Sequence, residues 1–146
     1  MMSLGKRDMF IEMAIVNCQV VEYSIRLIVS SYKAERNIRY VLGKPINDDP
    51  VKDMEVIRKA PLGSLIGELK KITGRTSLTK ELDYLNNRFR KDFIHHVFFV
   101  NDKNLKKVES EAKKYYESGR FVKVASMLIK AGTKIQKRAA KLYLTK

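Results

Sequence analysis

The sequence predicts an all-α protein, a single-domain bundle of about five helices spanning residues 1–146. Its length is typical of one domain and is sufficient to bury a hydrophobic core. Apolar residues recur at helical spacing along most of the chain, and no strand-like alternation is long enough to compete. The prolines stand close together, at Pro45, Pro50 and Pro61, and leave long helix-compatible stretches on either side.

The first predicted helix covers about residues 6–40 and is apolar on two faces. One face has alternating spacings of four and three residues: Met9, Met13, Val16, Val20, Tyr23 and Leu27. The second face contains Phe10, Ala14, Val21, Ile25 and Ile28. A helix of this kind is expected to be buried on two sides. It is predicted either to be the central helix of the bundle or to pack against a second subunit.

Shorter helices are predicted in the middle of the chain, after a loop at residues 43–50. A short helix at about 53–59 is followed by one that begins near Pro61 and ends at Gly74. Ser77 is predicted to cap the next helix, with Glu81 near the capping-box position. That helix is expected to cover about 78–97, with the apolar stripe Leu78, Leu82, Leu85, Phe89 and Phe93.

Two helices are predicted at the C-terminal end. The first starts near Asn101 or Asp102 and ends before Gly119, and the second covers about 120–144. At 100° per residue, one side of the last helix is apolar: Phe121, Val124, Ala125, Leu128, Ile135, Ala139 and Leu142. The other side is predicted to form a basic strip: Lys123, Lys130, Lys134, Lys137, Arg138 and Lys141.

The charge of the chain is strongly asymmetric. Of a net charge of +14, residues 103–146 carry +10, and no Asp or Glu follows Glu117. Such clustering favours a polyanionic partner, most commonly nucleic acid, with an acidic protein or an anionic membrane surface as alternatives. The competing interpretation is an ordinary solvated lysine face. Exposed helices usually mix both charge signs, which weakens that interpretation.

Cysteine content and the N-terminal residues narrow the class of protein. A single cysteine, Cys18, excludes an internal disulfide framework and a cysteine-rich zinc site. Residues 1–8 are too short and too polar for a signal peptide, and no uninterrupted apolar run reaches about eighteen residues. We therefore expect a cytoplasmic protein without a membrane partner.

The segment ELDYLNNRFRKDFIHH contains the residues best suited to chemistry. Arg90 lies five positions before His95, and His96 follows directly. Histidine titrates near neutral pH and can move a proton to or from a ribose or phosphate-ester oxygen. Arginine presents a fork of donors to a phosphate that gains charge in the transition state. Such a pair can cleave RNA without a metal or cofactor, and we expect neither.

This segment, preceded by LGSLIGELKK, resembles the HEPN superfamily over about residues 62–98. Arg90 and His95 match the family's R-x4-H motif, although Lys91 departs from the Asn, Asp or His that more often follows the arginine. The resemblance implies a small all-α domain and a metal-independent endoribonuclease of toxin or defence systems. It also implies a composite active site at a homodimer interface, and an antitoxin partner of the nucleotidyltransferase type.

Helical phase agrees with a site shared by two subunits. On an ideal helix, Arg90 and His95 are about 140° apart and do not meet on one face. His95 is preferred over His96, which falls nearer the apolar stripe. Supporting roles are assigned to Asn86 and Asn87, which could orient a phosphate or ribose, and to Asp92, which could position an arginine.

Two further interpretations stay open at the level of sequence. The protein can be a non-catalytic module that binds nucleic acid or a partner protein through its basic C-terminal face. The histidines are then polar residues at a helix end, where cationic groups are favoured, and Arg90 belongs to a surface ion pair. Tyr115, Tyr116 and Phe121 can stack on bases, although aromatics at this spacing more often belong to a core.

Overall fold

A computed structural model describes residues 2–46, 54–90 and 102–144, with side chains for 9–46, 54–87 and 106–144. It confirms the predicted all-α fold class. Six α-helices and no strand are found in these ranges. The helices are α1 (Met2–Val41), α2 (Met54–Lys59), α3 (Leu62–Thr73), α4 (Ser77–Tyr84), α5 (Asp102–Glu117) and α6 (Arg120–Leu144). A π-helical turn, Leu85–Arg90, continues directly from α4.

The two longest helices, α1 and α6, lie side by side and run in the same direction. Ile28 packs against Gly132, and about two turns further along both helices Glu35 pairs with Arg138. Helices α2, α3 and α5 also pack against α1, and α4 packs against α3 and α6. Fully buried side chains from several helices meet in one core: Ile25, Val29, Ile57, Leu65, Leu69, Leu82 and Val124.

Packing within the chain confirms the predicted burial of one face of α1, and burial of the other face by a second subunit stays a prediction. Ala14, Val21, Ile25 and Ile28 are buried, as expected. The face with alternating spacing is open instead, with Val16, Val20, Tyr23 and Leu27 each 50–62% exposed. The helices that pack against α1 leave this second face largely uncovered within the described part of the chain. We call this second row, from Met9 to Leu27, the α1 stripe.

The middle of α1 is fastened to the short helix α2 by Arg26. The Arg26 guanidinium donates to the carbonyl oxygens of Ile57, at 3.3 Å, and Ala60, at 3.1 Å. Both carbonyls lie at the C-terminal end of α2, where helix carbonyls lack intrahelical partners. A cation there also interacts favourably with the helix dipole.

At the turn between α3 and α4, the predicted end of α3 is confirmed and the predicted cap of α4 is wrong. Gly74 ends α3 with φ 74°, and its N–H donates to the Lys70 carbonyl. The cap of α4 is Thr76 rather than Ser77. The Thr79 N–H donates to Thr76 Oγ1, and the Thr76 N–H donates to Thr79 Oγ1 at 2.9 Å. This reciprocal pair takes the place of the predicted Ser77 and Glu81.

The apolar side of α6 is largely the predicted one. Phe121, Val124, Leu128, Ile135 and Leu142 are buried, whereas Ala139 is only half-buried. Ala125 is exposed, contrary to the prediction. The reason is that α6 also packs toward α4, so that Met127 and Ala131 join the core edge and Ala125 turns outward.

Helix α1 also meets a simple length and composition test for a membrane-spanning helix over Met9–Val41. Core helices of soluble proteins and signal sequences pass it equally, so it is weak evidence for a membrane. In this fold, part of the same stretch is buried against the other helices.

Candidate nucleic-acid interface

Three lysines form the middle of an exposed basic face on α6. Lys130, Lys134 and Lys137 are exposed, and none of them forms an ion pair with the described part of the chain. Spacings of four and three residues place them on one side of the helix over about 10 Å. Three cations on one side of a helix form a linear positive array, which attracts phosphate groups.

The other predicted members of the strip are not equivalent to these three. Lys141 is exposed near the C-terminal end. Lys123 lies 3.8 Å from Glu81, so its charge is partly offset by a half-buried carboxylate of α4. Arg138 lies at the edge of the strip and is half-buried because it turns toward α1.

Glu35 holds two arginines where α1 and α6 meet. Its carboxylate is almost fully buried and lies 3.2 Å from Arg138 Nη2 and 3.4 Å from Arg39 Nη2. Arg36 and Tyr32 complete an adjoining cleft of about 290 Å³. The Glu35 carboxylate is thus shared by two guanidinium groups, those of Arg39 and Arg138. It fixes Arg138 in place beside the strip.

A second cleft of about 410 Å³ opens on the other side of Arg138, between the α3–α4 turn and α6. Its lining combines hydroxyl groups of the turn with cations of the strip: Thr73, Thr76, Ser77, Lys130, Lys134 and Arg138. The sequence did not predict that the hydroxyl residues of the turn belong to a binding site. Only the packing of α4 on α6 brings them to the lysines, and no spacing along the chain signals that contact.

The aromatic residues proposed for base stacking lie mostly in the core. Tyr115 and Phe121 are buried and meet edge to face, with ring centroids 4.4 Å apart. Burial raises the pKa of the Tyr115 hydroxyl far above its usual range, and the neighbouring Glu81 carboxylate adds to the effect. Tyr116 is exposed but packs its ring against Phe10. Tyr84, partly exposed, lies under the Arg120 guanidinium at 3.9 Å.

The residues of the Arg-His motif lie at the limit of the described structure. The backbone of Arg90 ends the π-helical turn, whereas Asp92, His95 and His96 lie outside the described residues. Asn87 is exposed. Asn86 is buried, and its amide nitrogen lies against Gly63 of α3, so it helps to pack α4 onto α3.

Within the described residues, no three His, Cys, Asp or Glu side chains are close enough together to share a metal ion. The chain matches no protein-family model, no curated protein and no solved structure.

Proposed function

We propose that the protein binds RNA through the basic face of α6. The observation that carries this proposal is the row of Lys130, Lys134 and Lys137, exposed on one side of a rigid helix without carboxylate partners in the described structure. A solvated lysine face usually contains acidic residues at i, i+4 positions. On α6 the sequence has none, and the charge remains available to phosphates.

Binding of a labelled single-stranded RNA, followed by fluorescence anisotropy, tests this proposal. Affinity is expected to fall steeply with salt, because each neutralised phosphate releases counterions. Reversal of Lys130, Lys134 and Lys137 to Glu should abolish binding at moderate salt.

The matched control is reversal of three exposed lysines of α5, Lys106, Lys107 and Lys114, which changes the net charge equally. This control variant should retain most of the affinity. Equal losses in both variants would show that the overall charge, rather than the α6 face, attracts the RNA. Absence of binding by the unaltered protein at low salt would refute the proposal.

We further propose that the protein cleaves the RNA it binds, as the resemblance of its Arg-His segment to the HEPN superfamily implies. His95 would accept the proton of a 2′-hydroxyl as that oxygen attacks phosphorus, and would then donate this proton to the leaving 5′-oxygen as the P–O5′ bond breaks. Arg90 would stabilise the charge that gathers on the phosphoryl oxygens. The products would be a 2′,3′-cyclic phosphate and a 5′-hydroxyl.

Two observations support a shared catalytic site at a homodimer interface. Arg90 ends a π-helical turn, a distortion that occurs frequently at functional sites. The α1 stripe offers an apolar surface that a second copy of the chain can cover. An antitoxin or nucleotidyltransferase partner, and a cytoplasmic location, remain predictions from the sequence.

Cleavage is tested with single-stranded RNA in buffer containing EDTA, by resolving the products on a gel. The His95→Ala and Arg90→Ala variants should lose activity while still binding RNA, and His96→Ala should retain it. Equal activity of His95→Ala and the unaltered protein would refute the assigned role. Binding without cleavage by any form would leave the non-catalytic binding module as the function.

A further inference from the structure

The cleft beside Arg138 has the composition of an anion-binding site with an apolar floor. Six polar side chains line it, three hydroxyl-bearing and three cationic, and no carboxylate lines it. The rest of its lining is apolar, and comes from Ile72, Leu78, Met127, Ala131 and Ile135. At about 410 Å³ it falls within the range of small-molecule sites.

The hydroxyl groups are held in fixed positions by the turn that carries them. Thr73 Oγ1 donates its proton to the Leu69 carbonyl at 3.1 Å, so Thr73 shapes the cleft and does not donate to a bound anion. Thr76 Oγ1 accepts the Thr79 N–H, so the cap does not use the Thr76 hydroxyl proton. That proton can be donated to an anion, because a hydroxyl both accepts and donates.

The cations approach the same space from α6. Lys130 and Lys134 are one turn apart and form no ion pair with the described residues. Arg138 is oriented by Glu35, and its buried Nε has no hydrogen-bond partner in the described structure. A phosphate between the turn and α6 would therefore meet a preorganised set of donors rather than mobile surface lysines alone.

We propose that this cleft binds one nucleotide of a single-stranded RNA. Its phosphate would lie between Lys130, Lys134 and the hydroxyls of Thr76 and Ser77. Its base would rest on the apolar floor of Leu78, Met127 and Ile135. This inference rests on the proposed binding of RNA by α6. It adds the position on the basic strip at which one nucleotide of the RNA is held.

Ser77 allows the cleft to be tested without damage to the fold. It is exposed in the first turn of α4, where a negative charge favours the helix. Ser77→Glu should therefore leave the midpoint of thermal unfolding unchanged or slightly higher. It should weaken the binding of a labelled single-stranded RNA about tenfold or more, because a carboxylate then faces the phosphate. The control Ser110→Glu makes the same change at an exposed position of α5 and should have little effect.

A second probe, uridine 5′-monophosphate titrated into the isotope-labelled protein, separates this inference from the proposed function. Amide resonances of Thr73, Thr76 and Ser77 should shift in the unaltered protein and not in Ser77→Glu.

If RNA binds equally to the Ser77→Glu and Ser110→Glu variants, the cleft inference is overturned while RNA binding by α6 stands. If RNA does not bind but the mononucleotide shifts these amides, the proposed function is refuted, and with it the assignment of the cleft to RNA; the cleft is then a site for free nucleotides. If neither probe binds, both are refuted.

Discussion

Glu35 shows how a single buried residue organises the surface around it. Glu35 is only 3% exposed, and charged side chains are seldom so deeply buried unless they are paired. Arg39 and Arg138 supply that pairing from two different helices. The contact therefore both joins α1 to α6 and fixes the guanidinium group that separates the two basic clefts.

Glu35→Gln is predicted to lower the free energy of unfolding by about 1–2 kcal/mol, measured by urea denaturation. Breaking a fully buried pair costs about 3–5 kcal/mol, but the two arginine side chains remain 30% and 41% exposed, which reduces the cost. The control Glu117→Gln removes a pair with Lys113 in which both side chains are more than half exposed. Its effect should be below about 0.5 kcal/mol. Similar effects from both substitutions would contradict the structural role given to Glu35.

At the scale of a helix, the start of α4 depends on which hydroxyl residue begins it. By residue type, the cap of α4 can be Thr76, Ser77 or Thr79, and the sequence predicted Ser77. Gly74, at φ 74°, turns the chain so that Thr76 is the residue with an extended backbone before the first helical turn. The choice thus depends on the backbone path of the turn and not on residue type.

Thr76→Ala is predicted to reduce the free energy of unfolding by about 1 kcal/mol, the usual cost of losing a helix cap. Ser77→Ala should change it by less than about 0.5 kcal/mol, because Ser77 is already inside the helix and exposed. Chemical denaturation of the two variants distinguishes them. A larger loss of unfolding free energy in Ser77→Ala than in Thr76→Ala would show that Ser77 is the cap, as the sequence predicted.

Helices and their buried faces were predictable because both follow from local periodicity. Helix α6 has the predicted bounds, and most of its predicted apolar side is buried. Periodicity does not indicate which other helix packs against each face. The open α1 stripe, the exposed Ala125 and the turn of Arg138 toward Glu35 all depend on which helices pack together. For the same reason, the hydroxyl side of the cleft could not be predicted, whereas its lysines could.

The molecule as a whole presents one extended apolar surface. The α1 stripe covers Met9 to Leu27, about 27 Å of helix. Beside it, Val122 and Ile129 of α6 are 72% and 69% exposed. A groove of about 270 Å³ joins the two helices, with Leu27 and Ile129 among its lining residues. Apolar surface of this extent is typical of a protein–protein interface, and the alternating spacing of the stripe suits a helix from a second copy.

Sedimentation velocity at micromolar concentration is predicted to show a dimer for the unaltered protein and a monomer for Val20→Glu. Val20 lies in the middle of the stripe, where a buried unpaired carboxylate would be costly. Gln19→Glu introduces the same group next to the stripe and should remain dimeric. A monomer in all three cases would refute the shared catalytic site and leave RNA binding by α6 unaffected.

The parallel pairing of α1 with α6 has a consequence for synthesis of the chain. Glu35 and Arg138 are 103 residues apart in sequence, so their contact cannot form until the whole intervening chain and Arg138 itself have left the ribosome. At about 5–20 residues per second, this delay lasts on the order of 5–20 s. During that interval, neither apolar face of α1 has its full set of neighbours. Stalled nascent chains that end before Arg120 should therefore be readily cleaved by protease within α1 and bound by chaperones, and completed chains should resist both.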